Sequence, residues 1–311
     1  MDKIAIVGAG LVGRAWAVVF ARAGMSVAMW DRDSDAAQAA EAFIAERLPE
    51  LREAGLLADT PATVQARVTR AATLEEALEG AVHVQESGPE RVEAKRALFE
   101  QLDRLTPASV VLASSTSGIP ASAFTKELRG RPRCLVAHPV NPPYLIPLVE
   151  LCPASWTAGD TVLRTRALMT RAGQVPVTVH REVAGFVLNR LQIALVAEAF
   201  RLVADGVMTP EDVDATVKDG LGLRWSFMGP FETIDLNAPG GLADYCARYG
   251  ALYGQVQREM TPCDLTPELV GDVDAAERLL LPLEDQPARQ VWRDRRLMAL
   301  LAHKAKMARQ D

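Results

Sequence analysis

Roughly the first 180 residues alternate between short apolar runs and longer segments in which apolar residues recur at helical spacing. Apolar runs that are too short for a helix are typical of buried parallel strands. They fall at residues 4–7, 27–30, 64–69, 81–86, 110–113, 135–138, 148–151 and 175–179. Helical segments lie between them at residues 11–23, 34–55, 74–78, 90–105 and 160–172. Strands that alternate with helices predict an α/β fold with a doubly wound, mostly parallel sheet.

The pattern changes near Glu182, after which no strand is predicted. An apolar helix at residues 185–206 stops at Gly206, and Thr209 with Pro210 gives the signal for a new helix. Further helices are predicted at residues 242–260 and 284–309. We therefore predict two domains, an α/β domain of residues 1–182 and an all-α domain of residues 183–311.

Three glycines follow the first strand at the spacing G-x-G-x-x-G, at Gly8, Gly10 and Gly13. They allow a tight turn, the close approach of a pyrophosphate to the backbone, and close packing of the following helix. Asp31 ends the second strand, where its carboxylate would bind the ribose hydroxyls of NAD and repel the 2′-phosphate of NADP. The positive charge of Arg32, the next residue, would weaken this preference for NAD over NADP. We predict a Rossmann-type domain that binds NAD, and the alternative is a glycine-rich turn of another α/β protein.

Composition and charge argue against several classes of function. The 311 residues carry a net charge of −6, so no nucleic-acid surface is expected. No apolar stretch approaches the ~18 residues of a membrane span. Met1 leads directly into the first strand, so no signal peptide is expected. The four cysteines form no CxxC pair and no Cys/His cluster, which favours free thiols in a reducing cytoplasm and no metal site.

His138 is the histidine whose position best fits a catalytic role. It ends the predicted strand at residues 135–138, and open α/β sheets bind ligands at the carboxyl ends of their strands. The prolines that follow restrict the backbone and fix the orientation of Asn141. Glu150 lies in the next apolar strand, where a carboxylate is costly unless it is paired, and a histidine would satisfy it. The alternative is an edge-strand glutamate that points to water.

Two further polar groups need partners. The hydroxyl-rich segment 114–117 follows a predicted strand, and it either caps a helix or binds a substrate oxygen. Asn189 lies in the apolar run after Gly185 and Phe186, where a substrate or a cofactor amide would supply its partner.

Taken in order along the chain, these motifs resemble the 3-hydroxyacyl-CoA dehydrogenase family. The segments that carry the resemblance are GAGLVG, Asp31, SGPERVEAK, SSTSG, HPVNPP, LVEL, GFVLNRL and MGP, and they span essentially the whole chain. The segments AHPVNPPYLIPLVEL, GFVLNRLQ, DGLGLRWSFMGP and FETIDLNAPGG are similar to the λ-crystallin/L-gulonate 3-dehydrogenase branch. Members of that branch act on free 3-hydroxy acids rather than CoA thioesters. The resemblance implies a homodimer formed through the helical domain.

The resemblance also implies the roles of individual residues. The catalytic histidine falls on His138 and its partner glutamate on Glu150, while the substrate-contacting serine and the active-site asparagine fall on Ser117 and Asn189. Contacts to NAD fall on Leu11, Val12, Glu90 and Lys95. The family pattern usually has Asn-Thr-Ser in the serine turn, whereas this chain has Ser-Thr-Ser at residues 115–117.

Arg224 gives a physical reason for a free-acid substrate. It lies in a predicted Gly-flanked loop at residues 220–225, where a guanidinium would clamp a carboxylate through two hydrogen bonds. The alternative is an arginine that bridges subunits or pairs with Asp219. We predict NAD-dependent oxidation of the C3 hydroxyl of L-gulonate or a similar acid, with His138 as general base. The alternatives are a 3-hydroxyacyl-CoA dehydrogenase, a carnitine-type dehydrogenase, and a non-catalytic crystallin-like or NAD-sensing protein.

Overall fold

The computed structural model describes residues 2–310, and an eight-stranded sheet forms the centre of its amino-terminal part. The strands are β1 (Lys3–Val7), β2 (Ser26–Trp30), β3 (Val68–Arg70), β4 (Ala81–Glu86), β5 (Val111–Ser114), β6 (Cys134–Pro139), β7 (Leu148–Pro153) and β8 (Val175–Thr178). Their spatial order is β3-β2-β1-β4-β5-β6-β7-β8. All neighbouring strands are parallel except β6 and β7, which are antiparallel. The predicted doubly wound, mostly parallel sheet is confirmed.

Helices cover both faces of the central strands of this sheet. They are α1 (Leu11–Arg22), α2 (Ser34–Glu53), α3 (Pro61–Gln65), α4 (Leu74–Leu78), α5 (Val92–Leu105), α6 (Ser122–Thr125) and α7 (Gly159–Arg171). Successive residues of a strand point to opposite faces. Ile4 and Ile6 of β1 accordingly join the apolar cluster that contains α1, whereas Ala5 and Val7 join the cluster that contains α5. Burial on both faces explains why the strands read as continuous apolar runs.

The strand predicted at residues 64–69 is wrong in its first half. Thr60 accepts a hydrogen bond from the N–H of Thr63, and Pro61 takes the first helical position, so α3 forms there. Within this segment only residues 68–70, which form β3, pair with β2. A helix cap next to an apolar residue therefore outweighs the strand preference of Val64.

After β8, residues 179–310 form helices and no further strand. The helices are α8 (Leu188–Ala204), α9 (Pro210–Ala215), a π-helical turn (Thr216–Leu221), α10 (Gly222–Trp225), α11 (Pro230–Asp235), α12 (Gly241–Glu259), α13 (Pro267–Leu280) and α14 (Gln286–Met307). Thr209 caps α9 by accepting from the N–H of Asp212, as predicted. Helix α13 lies outside the predicted elements, although Thr266 and Pro267 repeat the same start signal.

The loop predicted around Arg224 is wrong. The π-helical turn runs directly into α10, so Arg224 lies exposed on a continuous helical segment. Gly220 and Gly222 do not end that segment, because a glycine inside a helix costs only about 1 kcal/mol.

The chain divides into two compact units. The first contains residues 2–190 together with residues 294–310, and the second contains residues 191–293. The domain boundary between residues 182 and 183 stays a prediction. Throughout residues 2–310, no helix has both the length and the apolar character needed to cross a bilayer.

Candidate active site

The glycine motif forms the turn between β1 and α1. Gly8 has a φ of +100°, and a Cβ there would lie 2.7 Å from the carbonyl carbon of Ser87, which follows β4. A Cβ at Gly13 would lie 1.8 Å from the carbonyl oxygen of Gly8, so the helix touches the turn at this point. A Cβ at Gly10 would meet no described atom within 4 Å. The space beside the backbone of Gly10 therefore fits the approach of a pyrophosphate.

The start of α1 is open to an anion. Gly10 is the N-cap of this helix and has no side chain to bind the first N–H groups, which belong to Leu11, Val12 and Gly13. Such groups bind phosphate readily. The contacts of Leu11 and Val12 with NAD stay predictions, and the free helix start supports them.

Asp31 follows β2 at the same edge of the sheet. One carboxylate oxygen accepts from the N–H of Ala9 at 2.6 Å, and the other accepts from the N–H of Asp33 at 2.9 Å. These bonds hold the carboxylate against the glycine turn. Each carboxylate oxygen has a second lone pair, so Asp31 keeps capacity for the ribose hydroxyls of NAD.

Lys95 and Glu86 form a buried ion pair between β4 and α5. The Nζ of Lys95 lies 3.0 Å from both carboxylate oxygens of Glu86, and both side chains are buried. Oε2 of Glu86 also accepts from the Oγ of Ser114 at 2.5 Å. The Nζ lies 3.7 Å from Oε2 of Glu90. The contact of Lys95 with NAD stays a prediction, and in this structure its ammonium binds the two carboxylates.

Glu90 holds the hydroxyl-rich turn in place. Its Oε1 accepts from the Oγ1 of Thr116 at 2.5 Å and from the N–H groups of Ser117 and Gly118 at 3.0 and 3.2 Å. Burial by itself raises the pKa of Glu90. These hydrogen bonds and the charge of Lys95 outweigh it, so the pKa lies below its usual range. The negative charge of Glu90 therefore stabilises the turn that presents Ser117.

His138 and Glu150 lie opposite each other on β6 and β7. The Nδ1 of His138 is 2.9 Å from Oε2 of Glu150, and both side chains are buried. Because β8 pairs with the other side of β7, Glu150 does not lie on an edge strand, and the alternative of a water-facing glutamate is wrong.

The second carboxylate oxygen of Glu150 binds the start of α8. Oε1 accepts from the N–H groups of Val187 and Leu188, each at 2.9 Å. Burial by itself raises the pKa of Glu150. The hydrogen bonds from His138, Leu188 and Val187 outweigh it and hold the pKa below the usual range. A charged carboxylate therefore lies beside the imidazole and at a helix N-terminus, where negative charge is favourable.

The chain enters α8 through two residues in the left-handed region. Gly185 has a φ of +71° and Phe186 a φ of +49°, a conformation that a residue with a side chain rarely adopts. Phe186 is fully buried, and its ring centroid lies 5.5 Å from that of His138. Packing in the core holds this turn, and the turn directs the N–H groups of residues 187 and 188 to Glu150.

Asn189 joins α8 to the serine turn. Its Nδ2 donates to the carbonyl oxygen of Ser117 at 2.7 Å. Asn141 is exposed just after β6. The structure thus brings Ser117, Asn189 and the His138–Glu150 pair into one connected set of contacts within the first unit. Arg224 belongs to the second unit.

Three contributing residues lie outside the predicted set: Glu86, Thr116 and Phe186. Glu86 carries a signal, since a carboxylate at the end of a buried strand needs a partner, and Lys95 follows nine residues later. Thr116 lies inside the predicted hydroxyl turn. The left-handed conformation of Phe186 has no sequence signal, because phenylalanine is not a residue that favours it.

The arrangement can exchange a proton with a bound hydroxyl. With Nδ1 held by Glu150, Nε2 is the nitrogen of His138 that takes up a proton, and the carboxylate stabilises the imidazolium that forms. The open glycine turn, the free helix start and Asp31 fit NAD at the edge of the sheet where β1 and β2 end.

Comparisons with known proteins identify the family of the chain. The family model described as the NAD binding domain of 3-hydroxyacyl-CoA dehydrogenase matches residues 3–183, and the model of its C-terminal domain matches residues 185–276. A solved structure titled as a 5-formyl-3-hydroxy-2-methylpyridine 4-carboxylic acid 5-dehydrogenase, an NAD+-dependent dismutase, has a TM-score of 0.83 at 28% identity. It covers 96% of this chain and 97% of its own.

Two curated relatives are similar over most of their length. A λ-crystallin homolog from Bos taurus is 45% identical over 305 residues, which is 96% of this chain and 94% of that protein. An L-carnitine dehydrogenase from Streptomyces griseus is 43% identical over 249 residues, which is 80% of this chain and 73% of that protein. The chain is therefore a member of the 3-hydroxyacyl-CoA dehydrogenase family, and NAD is its cofactor.

Proposed function

We propose that this chain oxidises the C3 hydroxyl of a free 3-hydroxy acid, L-gulonate or a similar compound, to the 3-keto acid. The observation that carries the proposal is the buried His138–Glu150 pair, joined through Val187 and Leu188 to the helix that also carries Asn189. A pair of this kind is suited to removing a proton from a hydroxyl group.

The chain's own residues provide for the proton and for the orientation of the substrate. NAD, when bound, supplies the acceptor for the hydride that leaves C3. Nε2 of His138 accepts the hydroxyl proton as the carbonyl forms, and Glu150 stabilises the imidazolium. Ser117 and Asn189 position the substrate oxygen. Asn141, exposed at the end of β6, is a further candidate contact to the substrate.

Three arginines support a free-acid substrate over a CoA thioester. Arg224 is exposed on α10 and has the fork geometry that clamps a carboxylate. A CoA thioester would instead need basic groups for its phosphates near α2. Arg47 of α2 is buried and donates to Glu46 and Glu50, and Arg52 donates to the carbonyl oxygens of residues 57 and 58. Both bases of that helix are thus already engaged.

Carnitine oxidation is the second candidate, since the relative from Streptomyces griseus is named an L-carnitine dehydrogenase and carnitine is itself a free 3-hydroxy acid. A non-catalytic crystallin-like or NAD-sensing role has less support. Neither role needs a histidine and a glutamate buried against each other, and such groups are costly to bury without a function.

We further propose that a second copy of the chain covers the apolar surface of the helical region. Helices α8, α12 and α13 contain no buried residue in the single chain. Leu191 and Leu279 are 64% and 88% exposed. Exposed apolar side chains on this scale mark an association surface.

Replacement of His138 by glutamine should lower kcat by roughly 10²- to 10⁴-fold, because it removes the general base. The affinity for NADH, followed by fluorescence titration, should stay nearly unchanged. The matched control is His180→Gln, an exposed histidine outside the site. Activity that survives in His138→Gln would contradict the assignment of the proton acceptor.

Two replacements of Glu150 separate its roles. In Glu150→Gln the amide oxygen can still accept from Val187 and Leu188, while the amide nitrogen donates to Nδ1 of His138. The proton of the ring then lies on Nε2, which can no longer accept one, so kcat should fall by roughly three orders of magnitude. In Glu150→Ala the N–H groups of Val187 and Leu188 lose their partner, and so does the buried Nδ1 of His138, which together should cost about 2–5 kcal/mol of unfolding free energy. Urea unfolding should show the large loss only in the alanine variant, and equal stabilities would contradict the capping role.

The substrate class is tested by initial rates of NAD reduction with L-gulonate, L-3-hydroxybutyrate, L-carnitine and 3-hydroxybutyryl-CoA. A free acid should be preferred. Arg224→Met should raise its KM by about 10- to 100-fold, as expected for a lost charge-assisted clamp. Arg258→Met, an exposed arginine of α12, is the control. Preference for the thioester would overturn the substrate class and the role of Arg224.

The association state is tested by sedimentation velocity. The chain should sediment with a mass of about twice 33.7 kDa. Leu191→Glu should shift it towards a single chain because it places a charge on the proposed interface. Leu163→Glu, on an exposed leucine of α7, should not. A monomeric wild-type chain would refute the dimer.

A further inference from the structure

A cavity of about 240 Å³ opens at the amino-terminal ends of β1, β4 and β5, the opposite end of the sheet from the glycine turn. Its lining residues include Asp2, His83, Val111, Arg164, Leu168 and Arg171. None of these residues belongs to the active-site contacts described above. The last three lie on α7, so the cavity lies between that helix and the sheet.

His83 is the polar group of this cavity that needs an explanation. It is 1% exposed, and its Nε2 lies 3.1 Å from Oε1 of Gln85. The Nε2 of Gln85 donates to the Oγ of Ser115 at 2.7 Å and to the carbonyl oxygen of Ala137 at 3.2 Å. Because the amide nitrogen of Gln85 is used as a donor, its Oε1 is the atom that faces His83. The ring of His83 therefore carries its hydrogen on Nε2 and a lone pair on Nδ1.

That lone pair has no hydrogen-bond partner within residues 2–310. Burial lowers the pKa of His83 to about 4; the hydrogen bond that His83 donates to Gln85 acts against this shift, and the charge of Arg164 adds to it. The ring is neutral at physiological pH, so Nδ1 remains an acceptor. Buried polar atoms almost always have a partner in native proteins. A hydrogen-bond donor from outside the chain is therefore expected at Nδ1.

The charged groups of the cavity mouth leave one guanidinium available. Arg171 donates to the carboxylate of Asp2, so these two charges compensate each other. Arg164 donates to the carbonyl oxygen of Ser109 at 2.5 Å, and it lies 3.8 Å from a carboxylate oxygen of Asp160. The pair with Asp160 is exposed and long, and such pairs contribute little. A ligand carboxylate can replace that partner at little cost.

We propose that this cavity is a second small-molecule site, which takes a small hydroxycarboxylate. The hydroxyl of the ligand donates to Nδ1 of His83, and its carboxylate accepts hydrogen bonds from Arg164. The volume is several times the ~30 Å³ that one water molecule takes in the liquid, so a molecule with a short carbon chain fits. Val111 and Leu168 give the walls an apolar part that suits the short carbon chain between the two polar groups.

A single bound water is the competing explanation. It would satisfy Nδ1 but would fill about one eighth of the volume and leave Arg164 with its exposed partner. The two explanations make different predictions for added ligands. Only the proposed site should bind a molecule with both a hydroxyl and a carboxylate more tightly than a molecule that has just one of them.

The test is a titration of the full chain with (S)-lactate, followed by the ¹⁵N resonances of the histidine rings. Lactate has no C3 hydroxyl, so the proposed reaction does not consume it. With only four histidines in the sequence, the signal of His83 is assigned from a His83→Gln sample. Lactate should shift the Nδ1 resonance of His83 saturably. It should bind at least about tenfold more tightly than propionate, which lacks the hydroxyl, or 2-propanol, which lacks the carboxylate.

Variants of two exposed arginines test the site without disturbing the core, so a loss of binding does not reflect a loss of folding. Arg164→Gln should weaken lactate binding at least about tenfold, whereas Arg104→Gln, which removes one exposed positive charge from α5, should leave it unchanged. The proposal fails if lactate does not shift Nδ1 of His83, if propionate and lactate bind equally, or if Arg164→Gln binds like the wild type. A shift confined to His138 would place lactate in the active site and would also refute it.

Discussion

The active-site geometry depends on one buried carboxylate that serves two elements at once. One oxygen of Glu150 holds Nδ1 of His138, and the other binds the first N–H groups of α8. Either contact alone would leave part of a buried charge without a partner, which is costly. Because both are made, the orientation of the imidazole and the position of the helix start depend on the same atom group. Asn189 lies on the first turn of that helix, so its reach to Ser117 depends on Glu150 as well.

A second acidic residue organises the opposite side of the set. Glu90 binds the backbone and the hydroxyls of the turn that presents Ser117. The ammonium of Lys95, which forms a buried ion pair with Glu86, also lies 3.7 Å from the carboxylate of Glu90. Hydrogen bonds to the carboxylate of Glu90 thus hold this turn. Buried ion pairs contribute little net stability, and their value here is geometric. Hydrogen bonds to Glu90 hold the backbone that carries Ser117, and hydrogen bonds to Glu150, together with the core packing of Phe186, hold the start of the helix that carries Asn189.

Local signals were sufficient for much of this structure. The glycine spacing predicts the β1–α1 turn because a Cβ at Gly8 or Gly13 would collide with backbone. The partner of Glu150 was predictable because a carboxylate in an apolar strand needs one, and β6 and β7 place His138 directly opposite. The helical state of the segment around Arg224 was not predicted, because two glycines suggest a loop, whereas each costs a helix only about 1 kcal/mol and the segment continues as helix. A carboxylate at the end of a buried strand predicts that Glu86 has a partner, but which residue it pairs with depends on the position of α5 in the fold.

The double contact of Glu150 also bears on how this protein can be divided. The N–H groups that bind Oε1 belong to residues 187 and 188, beyond the predicted end of the first domain at residue 182. A fragment cut at that boundary would retain the strands, the glycine turn and His138, but the carboxylate of Glu150 would lack two of its three hydrogen bonds. A buried carboxylate in that position tends to take up a proton, and it then no longer balances the charge of an imidazolium. The nucleotide-binding half is therefore not a transferable catalytic module, and the chemistry is inherited only together with the first turn of the helix that follows it.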